Sequence, residues 1–450
     1  MSQLPIMSVS GIRGIVGETL TNKFCASIAY IQTKYLGAGK IIVGRDTRTT
    51  GPQIAQAIFA GIRAAGGTPI DIGIAPTPTT CFAVDHFNAS GGVIITASHN
   101  PHPYNGYKMV HTSARLFSGA ECDAVYQQYH QGNYPSWEEL QKYMHDEAEQ
   151  QDAVKPHIEA ICSAVDTKLI AAKKIRVAVD SINGAAGVIF PALLDRLGVS
   201  WQGVHNELSG DFTHNPEPRP EHLQDLASLL RSSDDFWAGF AFDPDADRLA
   251  PMGENGQPIS EEMTLALALE SVLKEHPSDI ATNLSTSMVI DDVAAKYGVK
   301  VFRSKIGEAN VVGAMQEHGC TIGGEGNGGV IYPRVSTVRD GLTALALIIE
   351  CMAKRDQKIF DLASQWPVYP GVKEKIELGD LDPAEVIQGL EQQFVDEKTD
   401  TQDGLKIIRD YGWVHLRPSN TEPIMRCYAE AKTEKQAREL ADMVMEKVKR

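Results

Sequence analysis

Short apolar runs that read as strands alternate with amphipathic helical segments along most of this 450-residue chain. That alternation leaves few architectures open. Residues 40–43, 68–74 and 92–96 read as strands, with a helix over 52–65 between the first two. A polar stretch rich in Gln and Glu, 138–155, separates this unit from a second one. The second starts with a strand over 174–180, continues with a helix over 185–197, and ends near the apolar run before Asp243. A third starts near Gln257, with strands at 279–284 and 300–303 and helices at 311–317 and 341–354. Strands that alternate with helices build mostly parallel, doubly covered sheets. The C-terminal part differs, with antiparallel strands at 373–377 and 412–416 and a helix over 433–449. The chain is also too long for one core. The expected fold is α/β: three related mixed or parallel α/β domains, 1–150, 151–250 and 251–367, and a smaller α+β domain, 368–450.

Four polar segments stand out against this frame. The run Gly92-Val93-Ile94-Ile95-Thr96-Ala97-Ser98-His99-Asn100-Pro101 takes a buried strand into a tip bearing a hydroxyl, an imidazole and an amide. Ligands in open α/β sheets bind beyond the carboxyl ends of strands, where Ser98 stands. Adjacent residues of an extended segment point to opposite faces, so His99 is not expected to serve Ser98 as the base of a triad. Asp243-Pro244-Asp245-Ala246-Asp247-Arg248 sets three carboxylates at alternate positions after another apolar run. Such charges repel unless a cation neutralises them, and Mg²⁺ accepts oxygen ligands while leaving room for phosphate. The spacing is not that of an EF-hand.

The third segment, Gly323 to Gly329, surrounds Glu325 and Asn327 with five glycines, an acceptor and donor pattern that suits vicinal sugar hydroxyls. No Lys-Ser/Thr follows, as it would in a P-loop. The fourth, Arg417-Pro418-Ser419-Asn420-Thr421-Glu422-Pro423 with Arg426 nearby, gathers donors for phosphate oxygens.

Composition excludes more than it selects. A net charge of −16, from 42 basic and 58 acidic residues, argues against a nucleic-acid surface. It also requires an anionic ligand to be held by local positive charge. Seven cysteines at unpaired spacings read as thiols in a reducing compartment. No signal peptide and no apolar run of transmembrane length appear, so a cytoplasmic protein without a membrane partner is expected.

With its four segments in this order, the chain resembles the α-D-phosphohexomutases, whose members include phosphoglucosamine mutase and phosphomannomutase/phosphoglucomutase. Ser10-Gly11-Ile12-Arg13-Gly14, Gly44-Arg45-Asp46-Thr47-Arg48 and Asn105-Gly106-Tyr107-Lys108 add to the likeness, which runs from residue 10 to 426. The resemblance implies four domains, each lending one loop to a central cleft. It implies that Ser98 carries phosphate, with one Mg²⁺ bound by that group and by Asp243, Asp245 and Asp247. Lys108 and His99 become acid–base candidates, with Arg13 and Arg248 near the transferring phosphoryl group. Glu325 and Asn327 would read ring hydroxyls, while Arg417, Ser419, Asn420, Thr421 and Arg426 would hold the distal phosphate. The implied reaction interconverts hexose 6-phosphate and hexose 1-phosphate through a hexose 1,6-bisphosphate, which also acts as activator.

The motifs depart from the family in one loop. Many members carry Ser where Asn327 stands and His where Gly329 stands. His99 or Lys305 could supply the lost function. The Gly-Glu-Gly-Asn-Gly-Gly form resembles the archaeal-type phosphoglucosamine mutase branch, which points to glucosamine phosphate, with mannose or glucose phosphates as the alternative. Two rivals remain. A haloacid-dehalogenase-type phosphatase with Asp243 as nucleophile leaves Ser98 and the Arg417 segment unexplained. A non-catalytic sugar-phosphate-binding protein would never phosphorylate Ser98. Oligomeric state is not encoded in any of these features.

Overall fold

The computed structural model describes residues 4–8, 10–379, 381–418 and 424–448. The chain forms two compact units, one from residues 1–272 and 328–363, the other from 273–327 and 364–450.

The first unit opens with a seven-stranded mixed sheet. Its order is Ile6–Ser8, Gly11–Ile15, Tyr104–Val110, Gly91–Ile95, Lys40–Arg45, Thr68–Ile74, Glu149–Gln150. The near-continuous apolar character of the inner strands has a direct cause, since helices cover both faces. Ile41, Val43, Val93 and Ile95 pack with Phe24, Ile28, Ile54 and Ile58 from the helices Asn22–Tyr35 and Gly51–Ala64. The intervening Ile42 and Ile94 face the other way, onto Cys81 and Val84 of the helix Thr77–His86. The period of two along each strand thus feeds two cores.

A second sheet of the same unit has the order Leu249–Met252, Ala238–Phe242, Arg176–Asp180, Ser200–Val204. Its inner pairs are parallel, and Leu249–Met252 runs antiparallel at the edge. The hairpin Gly329–Tyr332 and Ser336–Arg339 and the helix Gly341–Arg355 complete the unit.

In the second unit, Ile280–Asn283 pairs in parallel with Val301–Ser304 and Ile322–Glu325. A five-stranded antiparallel sheet follows, ordered Gly371–Glu377, Ile424–Ala431, Gly412–Pro418, Leu405–Arg409, Lys398–Asp400. The helices Pro383–Gln393 and Glu434–Val448 pack on it through Leu390, Leu440 and Val444.

Two expectations change. The polar stretch 138–155 is not a plain linker, because Glu149–Gln150 adds an edge strand beside Thr68–Ile74. The single helix expected over 185–197 is instead a 3₁₀ turn, Ala185–Val188, followed by the helix Phe190–Leu197. Pro191 explains the break, for proline has no N–H to give a preceding turn and suits a first helical turn. Among the described residues no helix is long and apolar enough to cross a membrane.

Candidate active site

Ser98 stands three residues past the buried strand Gly91–Ile95, at its carboxyl end. Its backbone is left-handed, with φ 49°, rather than extended. This corrects the sequence expectation for His99. The turn at Ser98 brings neighbouring side chains to one side, and His99 Nδ1 lies 3.4 Å from Ser98 Oγ. Ser98 Oγ donates to Asp243 Oδ2 at 3.2 Å, and the serine is buried.

The loop is held from below by Asp46 and Arg48, both fully buried and paired at 3.0 Å. Arg48 Nη2 donates to the carbonyls of Ser98 and Asn100, each at 2.7 Å, and Nη1 to that of Tyr104 at 3.0 Å. Asp46 Oδ2 accepts from Thr96 Oγ1 at 2.7 Å, and Thr96 Oγ1 accepts from the Ser98 amide at 2.9 Å. Arg13 Nη1 donates to Asn100 Oδ1 at 2.7 Å. Gly106, the strand partner of Arg13, sits so close to Thr96 that a Cβ there would stand 2.3 Å from the Thr96 carbonyl oxygen. A side chain at 106 would push the Ser98 loop away from the Arg13 strand.

Asp243, Asp245 and Asp247 follow the strand Ala238–Phe242 and are wholly buried. One ligand oxygen from each lies within 4.8 Å of the others. Asp245 Oδ2 accepts from Lys108 Nζ at 2.7 Å and from Thr77 Oγ1 at 2.6 Å. Asp247 Oδ2 accepts from Arg339 Nη2 at 2.6 Å and lies 3.5 Å from Lys108 Nζ. Arg248 Nε is 3.7 Å from Asp247 Oδ1. Asp245 Oδ1 and Asp247 Oδ1 are buried without a hydrogen-bond partner. An orphaned buried carboxylate oxygen is costly, and two beside a third carboxylate are what a hard divalent cation would satisfy. The trio fits a metal ion.

Electrostatics divide the three. Burial raises the pKa of Asp243, and Asp247 and Asp245 push it further, well above the ordinary carboxylate range. Burial also acts on Asp247 and Asp245, yet Arg339 and Lys108 hold the first below its usual value and Lys108 the second. Lys108 is buried too, but Asp245 and Asp247 outweigh the desolvation and keep the ammonium charged. It is therefore an ammonium that neutralises charge beside the trio. His99 is the opposite case. Burial, then Arg248 and Arg13, lower its pKa to about 4, so its imidazole is neutral near pH 7 and able to accept a proton.

The second unit holds the other predicted residues. Glu325 ends the strand Ile322–Glu325 and is buried. Its Oε1 accepts from Asn283 Nδ2 at 2.8 Å and from the Gly307 amide at 3.2 Å. Asn327 Oδ1 is buried and unsatisfied. Arg417 lies on the strand Gly412–Pro418 directly opposite Arg426. Like charges facing across a sheet destabilise it unless an anion lies between them, which suits a phosphate. Ser419, Asn420 and Thr421 lie outside the described residues.

Comparison with known proteins agrees with this geometry. Residues 6–136, 155–256 and 260–369 match the α/β/α domains I, II and III of phosphoglucomutase/phosphomannomutase, and residues 373–447 match the C-terminal domain of the same proteins. The chain belongs to the phosphoglucomutase/phosphomannomutase family. A phosphoglucomutase/phosphomannomutase of Thermococcus kodakarensis is 38% identical, over 96% of each chain. A probable phosphoglucosamine mutase of Methanopyrus kandleri is 36% identical, over 98% of this chain and 97% of its own. A crystal structure of a Burkholderia thailandensis family protein superposes with a TM-score of 0.87 at 26% identity, covering 100% of this chain and 98% of that one. The protein is thus an isomerase-class phosphotransferase acting on hexose phosphates.

Sequence reasoning missed three contributors to this family site. Thr77 reaches Asp245 from the start of a helix, and the Asp46–Arg48 pair acts through the Thr96 hydroxyl and the backbone of the Ser98 loop. Arg339 is the third. Its aliphatic chain crosses the face of Gly329, where a Cβ would stand 2.2 Å from Arg339 Cδ. The space beside Gly329 is therefore occupied by the side chain of Arg339. An arginine two residues before the helix expected at 341–354 was the available signal.

Proposed function

We propose that the protein interconverts glucosamine 6-phosphate and glucosamine 1-phosphate through a phosphate carried on Ser98. The observation that carries this reading is the buried Ser98 hydroxyl, 3.2 Å from Asp243 within a ring of three carboxylates and the cations Lys108, Arg248 and Arg339. Asp243, Asp245, Asp247 and Ser98 are the groups that would hold Mg²⁺, which when bound neutralises charge on a transferring phosphoryl group.

Phosphate leaves Ser98 for a free hydroxyl of the sugar monophosphate, giving a hexose 1,6-bisphosphate and a free serine. After the sugar reorients, its other phosphate returns to Ser98. Neutral His99 takes the proton of the attacking hydroxyl, and Lys108 returns one to the leaving oxygen. Arg13 orients the loop through Asn100. A trace of bisphosphate activates the enzyme by charging Ser98. Arg417 and Arg426, with Ser419, Asn420 and Thr421, hold the phosphate that is not reacting. Glu325 and Asn327 read the ring, and a carboxylate there suits the C2 ammonium of glucosamine. Each of the domains 1–150, 151–250, 251–367 and 368–450 supplies one of these loops.

The relatives' names divide between glucosamine and glucose or mannose phosphates, so the substrate is tested on a panel. kcat/KM is measured for glucosamine, glucose, mannose and N-acetylglucosamine phosphates, each with its bisphosphate. Glucosamine phosphate should rank first, and a higher value for mannose or glucose phosphate would replace that assignment. Ser98→Ala should lose nearly all turnover with every sugar while substrate binding persists. Intact-mass analysis should find one phosphate on the peptide containing Ser98 in the parent protein alone. Near-normal turnover in Ser98→Ala would exclude the phosphoserine route whichever sugar leads.

A further inference from the structure

At the carboxyl end of the second sheet, one strand away from the aspartate trio, Asp180 meets two histidines. Asp180 ends the strand Arg176–Asp180, whose neighbour Ala238–Phe242 leads into Asp243. His205 Nδ1 and His214 Nε2 each lie 3.1 Å from Asp180 Oδ2. The carboxylate is buried and both imidazoles are largely covered.

The outer nitrogens determine what belongs at the centre. His214 Nδ1 lies 2.8 Å from the Asn215 carbonyl oxygen, so that nitrogen carries a proton. In a neutral ring the other nitrogen then turns a lone pair toward Asp180. His205 faces carboxylates on both sides, with Nε2 3.1 Å from Asp225 Oδ2. Two acceptors at this distance repel unless a proton or a metal ion lies between them. A metal answers both conflicts at once. Metal-ligating histidines donate their other N–H to a carboxylate or a backbone carbonyl, as Asp225 and Asn215 provide here. Ligand atoms around a tetrahedral zinc ion stand about 3.3 Å apart, close to the 3.1 Å separating Asp180 Oδ2 from each histidine nitrogen.

We propose that Asp180, His205 and His214 form a second metal site that takes a zinc-type divalent transition ion, with solvent completing the coordination. Its task is structural. Between the two histidines the chain carries Phe212, whose ring lies 4.8 Å from the Arg48 guanidinium, and Gly210, where a Cβ would stand 2.1 Å from the Thr47 carbonyl oxygen. Arg48 in turn holds the Ser98 and Asn100 carbonyls. A metal that fixes residues 205–214 therefore braces the Ser98 loop.

The test uses full-length protein stripped by chelation and titrated with Co²⁺ in excess Mg²⁺, which keeps the hard oxygen site filled. One equivalent should give the intense visible band of four-coordinate, nitrogen-ligated cobalt, and Zn²⁺ should displace it. His205→Gln and His214→Ala should each abolish the band, whereas Asp245→Asn should keep it. Asp225→Asn should weaken Zn²⁺ binding by about 10-fold or more, through loss of the outer-shell partner. Amide exchange over 205–214 should slow when Zn²⁺ is added. A band that survives both histidine substitutions would overturn the proposal. So would imidazole ¹⁵N shifts showing both rings doubly protonated at saturating Zn²⁺, since the cluster would then be two imidazolium ions on one carboxylate.

Discussion

A Cβ on Gly329 and the present path of Arg339 cannot coexist, because the two would be 2.2 Å apart. The colliding atom belongs to a flexible side chain, so an added methyl shifts the arginine rather than unfolding the hairpin. Gly329→Ala should therefore act through Arg339, weakening its 2.6 Å bond to Asp247. A charge-assisted hydrogen bond is worth about 1.5–3 kcal/mol, so kcat/KM should fall roughly 10- to 100-fold. Arg339→Met should produce a similar loss. If both changes remove one contact, the double variant will be no worse than Arg339→Met alone. Multiplying losses would mean that Gly329 acts by another route. The sequence disclosed the absence of a side chain at 329 but not what filled the space, since the filler is ten residues away and arrives only through the hairpin. Ser98 and the three aspartates were legible because each follows an apolar strand, which fixes where a polar tip must lie. The left-handed turn at Ser98 was not, as nothing in a serine's identity announces a positive φ.

The elements themselves were readable where burial is two-sided. Strands such as Lys40–Arg45 and Gly91–Ile95 need apolar residues on both faces, and that pattern marks them in the sequence. Glu149–Gln150 carries no such mark. Two exposed polar residues become a strand only because Thr68–Ile74 offers them an open edge. The Ser98 loop shows the same dependence on tertiary partners. Beyond the turn bond from the Asn100 amide to the Ala97 carbonyl and that from the Ser98 amide to Thr96 Oγ1, it hangs on Arg48, which is fully buried against Asp46. Removing one member of such a pair leaves an uncompensated charge, at a cost of about 3–5 kcal/mol. Arg48→Met should lower the unfolding free energy by that amount in urea. Arg48→Lys should recover little, because an ammonium cannot span three carbonyls and a carboxylate as the guanidinium does. Replacing Asp46 by Asn together with Arg48→Met should cost less than the sum of the single changes. A loss below about 1 kcal/mol in Arg48→Met would show that the pair is dispensable to the loop.

At the scale of the whole molecule, an acidic chain of net charge −16 still carries buried cationic and titratable groups whose protonation couples to folding. The second unit contains a defined acid-sensitive group. His415 Nε2 lies 2.6 Å from the Asp403 carbonyl, so it donates there, and its Nδ1 accepts from Ser285 Oγ at 2.9 Å. Burial lowers its pKa from 6.5 to about 4. The sign follows from which state takes up the proton first. Between these values the unfolded chain binds a proton at 415 and the folded chain does not, so acid favours unfolding. The stability due to neutral His415 is complete above pH 6.5 and declines as the pH falls to about 4. The loss is at most about 3.4 kcal/mol, at 1.36 kcal/mol per pH unit. Lys406, buried directly opposite His415 on the neighbouring strand Leu405–Arg409, has its pKa lowered by burial as well, and its charge disfavours a proton on His415. The informative quantity is therefore the difference between two slopes. Amide exchange in the strands Leu405–Arg409 and Gly412–Pro418, corrected for intrinsic rates, gives the local unfolding free energy at pH 6.5 and 4.5. The parent protein should lose more protection than His415→Gln over this interval, although the variant starts from lower stability. Parallel slopes would mean that His415 is protonated in the folded unit as readily as in the unfolded chain, and would overturn its assignment as the acid-sensitive group.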